Sequence, residues 1–305
     1  QLAARYLRRA LRMLPPDDAR RMEVHEALEG IARVQGRWQE RRRHLIALRR
    51  LARKSNKPWW VARALLRTAR LEQDQGYLAR GLASTQLAER VARQAGSPEV
   101  EVQAQSLMSE LLRDLGDMQG ALAACDRALA AAARHEVPAR LRAEVLRSRG
   151  TLLRRVGRVH EAVDAHAEAI AVFKQVGARR SEASAKNALA LALFVLGRFE
   201  DAIALSLDAI RIDLAVGGRL QIAKTLSTIG QCYARLGDPR RGLAYLRRAR
   251  EEHERYGDHD ARPDTLLATA EVLVELGDLA AADSFVSDAS GLVAVSGSAY
   301  DSVHE

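Results

Sequence analysis

Residues 184–217 read SAKNALALALFVLGRFEDAIALSLDAIRIDLAVG. Ala185, Leu189, Ala192, Leu193 and Leu196 recur at helical spacing before Gly197. Phe199, Ala202, Ile203, Ala209, Ile210 and Leu214 do the same after it. The pattern predicts two amphipathic helices folded back at Gly197, with Gly217 stopping the second. A single hairpin of this kind cannot bury both apolar faces. It needs neighbours of its own type.

The chain supplies them. The turn glycine recurs at Gly36, Gly76, Gly116, Gly157, Gly197, Gly237 and Gly277, in steps of 40 with one step of 41. A second ladder lies about twenty residues on, at Asn56, Gly96, Gly177, Gly217, Gly257 and Gly297. Its one gap is Glu136, where Val137-Pro138 is expected to serve as the stop. Small residues keep the same register. Five after each turn glycine stand Arg41, Gly81, Ala121, Ala162, Ala202, Gly242 and Ala282. Seven before stand Glu29, Ala69, Ser109, Gly150, Ala190, Gly230 and Ala270. Twelve after stand Leu48, Ala88, Ala128, Ala169, Ala209, Ala249 and Ala289. The first copy departs most, at Glu29, Arg41 and Leu48. A fixed period of this length is a solenoid signal.

The stretches LGRFEDAIALSLDAI, VGRVHEAVDAHAEAI and LGDPRRGLAYLRRA resemble the tetratricopeptide repeat. The period matches its longer, 40-residue form, found in cytosolic scaffolds and large bacterial signalling and regulatory proteins. The resemblance implies an all-α, right-handed superhelical α-solenoid of tandem helix-turn-helix repeats. Seven repeats are expected, at about 18–57, 58–97, 98–138, 139–178, 179–218, 219–258 and 259–298, forming one array. Residues 1–17 would be the second helix of a preceding repeat, and 299–305 the start of another. Both ends lack a polar cap, which suggests a piece of a longer chain.

Composition sets further bounds. The net charge of +9 is uneven: residues 1–70 hold 19 Lys+Arg against 6 Asp+Glu, and the remainder 29 against 33. Arg41, Arg42, Arg43, Arg49 and Arg50 form a candidate basic patch for an acidic partner or nucleic acid. The alternative is a solvated outer helix face. Few aromatics are interleaved for base stacking, so nucleic acid is the weaker partner. No apolar run approaches a membrane span; Ala188–Leu196 is the longest. Cys125 and Cys232 read as buried free thiols, in keeping with a reducing cytoplasm. Of Trp59 and Trp60, one is expected in the core and the other partly exposed. On the second helix of the first repeat, Trp38, Leu45, Ile46, Leu48 and Leu51 are expected to point inward.

No nucleotide, zinc-protease or nucleophile-elbow motif occurs, so no enzyme, cofactor or metal is expected. His160, Asp164 and His166 read as a polar outer face. His253, Asp258, His259 and Asp260 read as a helix end with turn capping. What remains is a groove. By the resemblance, the first helix of each repeat lines a concave side, with groove columns 13, 10, 6, 3 and 2 residues before each turn glycine. These columns hold Arg63, Arg70, Arg113, Arg147, Arg154 and Arg155 in repeats two to four. They hold Asn187, Leu191, Phe194 and Val195 in repeat five, then Lys224, Gln231 and Arg235, then Asp264, Glu271 and Glu275. The expected function is a protein-interaction scaffold that takes a peptide or partner domain with acidic residues. Arginine would hold carboxylates, asparagine the peptide backbone, and Leu191 with Phe194 an apolar anchor. Burial of those apolar residues by the lengthened helices is the alternative. Self-association is a further possibility that the uncapped ends raise.

Overall fold

A computed structural model describes residues 2–256 and 262–301. Among these, fifteen helices and no strand are found. The helices are α1 (Leu2–Met13), α2 (Arg20–Val34), α3 (Trp38–Lys54), α4 (Pro58–Asp74), α5 (Leu78–Gln94), α6 (Pro98–Asp114), α7 (Met118–Arg134) and α8 (Ala139–Arg155). They continue with α9 (Val159–Gln175), α10 (Arg179–Val195), α11 (Phe199–Val216), α12 (Arg219–Arg235), α13 (Pro239–Tyr256), α14 (Arg262–Glu275) and α15 (Leu279–Asp301). No described helix is long and apolar enough to cross a membrane.

The ladder residues are where the chain reverses. All seven turn glycines have positive φ, as do Asn56, Gly96, Gly177 and Gly217. At Gly197, φ is +75°. Its N–H donates to the Phe194 carbonyl at 3.0 Å, and the next N–H, of Arg198, donates to the Leu193 carbonyl at 2.9 Å. This pair of bonds closes the end of α10 by the Schellman arrangement and needs a residue that accepts the left-handed region. The gap in the ladder behaves differently. After α7, His135 is extended (φ −134°, ψ 149°), and α8 begins directly after Pro138. Gly257 lies outside the described residues, and α15 runs through Gly297 instead of stopping there. Helix starts are marked by Pro58 and Pro98 at the first helical position. The Asp117 side chain caps α7 by accepting from the Gly120 N–H at 2.8 Å.

The chain forms two compact units, residues 1–145 and 146–305. In the first, alanine and leucine from α4, α5 and α6 build one core: Ala62, Leu65, Ala69, Ala88, Ala92, Ala104, Leu107 and Leu111. In the second, Ala190, Leu193, Ala202, Ile203, Ile229 and Cys232 from α10, α11 and α12 do the same. Both cysteines are buried and unbridged. Burial pushes the Cys232 thiol up to about 12, so it behaves as a small apolar group.

The small columns set how closely paired helices approach. A Cβ on Gly242 would lie 2.7 Å from the Gly230 carbonyl oxygen, so only glycine fits. A Cβ on Gly150 would lie 2.7 Å from the His166 ring, which fills the notch the missing side chain leaves. His166 is therefore fully buried, which corrects its reading as part of a polar outer face; His160 and Asp164 are exposed. Burial, with Arg147 and Arg154 nearby, lowers His166 to about 4 and keeps it neutral. The first repeat fills the same columns with charge. Arg41 and Glu29 are each 1% exposed, and Arg41 Nε donates to Glu29 Oε1 at 2.9 Å. Arg41 Nη1 also reaches Asp74 Oδ2 at 2.8 Å, and Arg67 Nη1 reaches Glu29 Oε2 at 2.6 Å.

Candidate functional site

The predicted groove residues lie on the first helices of the repeats, and the two units treat them differently. In the first unit they are already neutralised. Arg63 and Arg67 pair with Glu26. Arg70 pairs with Glu110 and also donates to Gln73 Oε1 at 2.9 Å. Arg113 pairs with Asp114 at 2.7 Å. These guanidinium groups form bridges between neighbouring first helices, or along one, and leave little charge unmatched.

The second unit presents the contrast. Arg147 and Arg154 are half-buried and Arg155 is exposed, all on α8, and among the described residues no ion pair reaches any of the three. Burial and the adjacent Arg155 hold the Arg154 guanidinium below its ordinary value. At the same register on α10 stand Asn187, Phe194 and Val195. Val195 is 53% exposed. Leu191 and Phe194 are half-buried, the Phe194 ring meeting Phe199 edge-on at 5.5 Å. The apolar patch is thus anchored in the core behind it and open in front. Asn187 Oδ1 is buried and has no hydrogen-bond partner. On α12, Lys224 and Arg235 are exposed and Gln231 half-buried. Asp264, Glu271 and Glu275 are exposed on α14.

The basic patch needs one correction. Arg42, Arg43 and Arg50 are exposed and Arg49 half-buried, but Arg41 is in the interior, held by Glu29 and Asp74. Its position in a column of small residues, opposite the equally atypical Glu29, was the signal for this. Neighbouring arginines in a run cannot all face solvent on a helix. Two residues expected inward are also exposed: Trp38 (42%) and Ile46 (54%). Trp60 is buried and Trp59 partly exposed; their rings stack at 4.5 Å with Arg63 over both. Among the described residues no group of three or more His, Cys, Asp or Glu is placed to hold a metal. His253 Nε2 lies 3.1 Å from Thr265 Oγ1, and Asp258, His259 and Asp260 fall outside the described residues.

The sequence matches the tetratricopeptide repeat profile over residues 101–175, 181–241 and 221–291. No curated protein matches the chain. Its fold is similar to that of aspartyl phosphate phosphatase F from Bacillus subtilis (TM-score 0.72, 12% identity, 89% of this chain and 70% of that one). It is also similar to the apo form of the quorum sensor NprR from B. thuringiensis (TM-score 0.70, 15% identity, 95% and 80%). A third similar structure is the Rap conjugation gene regulator of plasmid pLS20 in complex with the Phr* peptide (TM-score 0.56, 17% identity, 63% and 53%).

Proposed function

Since the chain belongs to the tetratricopeptide repeat family, we propose that it is a protein-interaction scaffold whose second unit binds an extended acidic peptide or partner segment along its first helices. The observation that carries this reading is the set of arginines on α8. Arg154 stands in the column of Arg113, which Asp114 neutralises in the first unit, and Arg155 in the column that Asp74 and Asp114 fill with carboxylates; among the described residues no ion pair reaches either of them or Arg147, two turns back on the same helix. A part-buried guanidinium without a counter-ion is costly, and a ligand carboxylate relieves that cost. Rotation of the half-buried Asn187 side chain would bring its amide oxygen, here buried and unpartnered, to a peptide N–H. Leu191, Phe194 and Val195 offer an apolar contact, while Lys224, Gln231 and Arg235 extend the polar rim. The peptide in the pLS20 regulator complex supports a peptide as ligand. The setting would be a cytoplasmic signalling or regulatory protein larger than this segment.

The test is calorimetric titration of the full chain with peptides selected on it by phage display. Phe194→Ala should weaken binding by about 2 kcal/mol, roughly thirtyfold. Arg154→Ala should cost less and lose its effect as salt rises, because a rim charge acts through a screened field. Selected peptides that bind both variants as tightly as the parent would remove the groove from the proposal.

A further inference from the structure

A second surface lies on the other helices of the repeats. Between α3, the C-terminal half of α4 and the start of α5 there is a hollow of about 210 Å³. Leu45 and Leu71, both buried, lie beneath it, Ile46 stands 54% exposed at the edge, and Thr68, Glu72 and Gln75 add polar wall. Arg42 and Arg49, on α3, and Arg80, on the first turn of α5, surround it. Among the described residues, neither Arg42 nor Arg49 is engaged in an ion pair. Arg80 lies over the Tyr77 ring at 5.3 Å.

This arrangement is local to one junction. One repeat on, the positions of Arg42, Arg49 and Arg80 are taken by Leu82, Glu89 and Gly120. A hollow at the same register recurs in the second unit, lined by Leu243, Arg250, Leu273, Asp278 and Phe285, with about 360 Å³. There Arg250 pairs with Glu254 at 3.9 Å and lies over Phe285 at 5.7 Å, and Asp278 adds a negative charge. That hollow sets Asp278 against Arg247 and Arg250, whereas the one beside α3 sets a single carboxylate, Glu72, against three arginines.

We infer that the hollow formed by Ile46, Leu71 and Tyr77 inside the Arg42–Arg49–Arg80 ring is a docking point for an acidic protein segment, which inserts one apolar side chain flanked by carboxylates. Charge complementarity selects the acidic flanks. The apolar floor selects the inserted residue, since a buried anchor inside a charged rim is where interface energy concentrates. A nucleic-acid strand fits less well. The guanidinium groups ring one hollow instead of tracking a backbone, and Arg80 already covers the Tyr77 face a base would stack on.

The experiment titrates the full chain with a labelled heptapeptide carrying a central phenylalanine between two triplets of glutamate. The same peptide with central alanine and a twelve-base single-stranded DNA serve as competitors. Binding of the phenylalanine peptide is expected, weakened about tenfold or more by Arg42→Glu or Arg49→Glu and less by Arg42→Gln. Because the same peptide also suits the groove proposed on the other unit, the titration is repeated in a Phe194→Ala, Arg154→Ala background, where the loss caused by Arg42→Glu or Arg49→Glu is read on the hollow alone, so the two surfaces fail or stand separately. Circular dichroism checks that the exposed arginine variants remain folded. The inference is overturned if the peptide does not bind, if Arg42→Glu and Arg49→Glu bind it normally, if the alanine peptide binds as tightly, or if the DNA displaces it and is itself lost with those substitutions.

Discussion

In the sixth repeat Gly230 and Gly242 let α12 and α13 touch backbone to backbone. In the first, Glu29 and Arg41 stand at those same two steps and hold α2 and α3 together through a buried ion pair. One junction has no room for a methyl group; the other accommodates two of the longer side chains. The repeat therefore does not demand small residues as such. It demands that the two columns match each other. In the fourth repeat the notch at Gly150 is filled from another step, by the ring of His166, nine residues after the turn glycine. The costs differ. A glycine contact is apolar and insensitive to conditions. A buried pair must compensate for desolvation, and removing one partner strands the other. A buried neutral histidine is stable only while it stays neutral.

The largest break in this comparison comes from Arg41→Ala. It leaves Glu29 buried and half-satisfied by Arg67, and should cost about 3–5 kcal/mol in urea denaturation. The double change Glu29→Ala with Arg41→Ala restores the pattern of the other repeats and should cost distinctly less. Equal losses would mean that the pair does not stand in for the small-residue contact.

His166 should show the next largest effect, and only in acid. Its ordinary pKa is 6.5 and its folded value about 4. The unfolded chain therefore takes up the proton first as pH falls. The stability it supports is complete above pH 6.5 and is lost progressively down to about 4, on the order of 2–3 kcal/mol. His166→Leu copies the Leu246–Gly230 pairing of the sixth repeat and should flatten this part of the stability–pH curve. An unchanged slope between pH 6.5 and 4 would place the acid sensitivity elsewhere, with His25 the next candidate, since burial and His44 lower it to about 4 as well.

The glycine junction sharpens the contrast at a smaller scale. Gly242→Ala pushes a methyl into the Gly230 carbonyl and should cost about 1–3 kcal/mol in thermal unfolding. Gly30→Ala, on α2 with nothing within 4 Å of the added carbon, should stabilise by about 0.5–1 kcal/mol. If both changes behave alike, close approach is not what fixes Gly242.

These same positions mark what could be read from the amino-acid sequence. The turns were legible because the left-handed region admits few residues, and even Asn56 took it, at φ 49°. The departures Glu29 and Arg41 were visible as outliers, but a run of arginines looks solvated, and only a pairwise reading of the two columns exposes the ion pair. His166 was misplaced for the same reason: its partner is an absence, the missing side chain of Gly150. Half-exposure of Leu191 and Phe194 was not legible, because periodicity locates a helix face without saying how far the next helix covers it. Neutralisation of Arg63 and Arg70 depends on carboxylates 37 and 40 residues away, at Glu26 and Glu110, which no local pattern reveals, whereas Arg113 is met by the adjacent Asp114.

All three tryptophans of the chain, Trp38, Trp59 and Trp60, fall in the first unit. Indole emission is therefore a private optical channel for that unit, while the helical ellipticity at 222 nm sums over both. In a quasi-one-dimensional stack, where each repeat is stabilised by its neighbours, segments can melt independently. Superposing the two signals along one denaturant series thus measures how far cooperativity extends along the chain, with no label added.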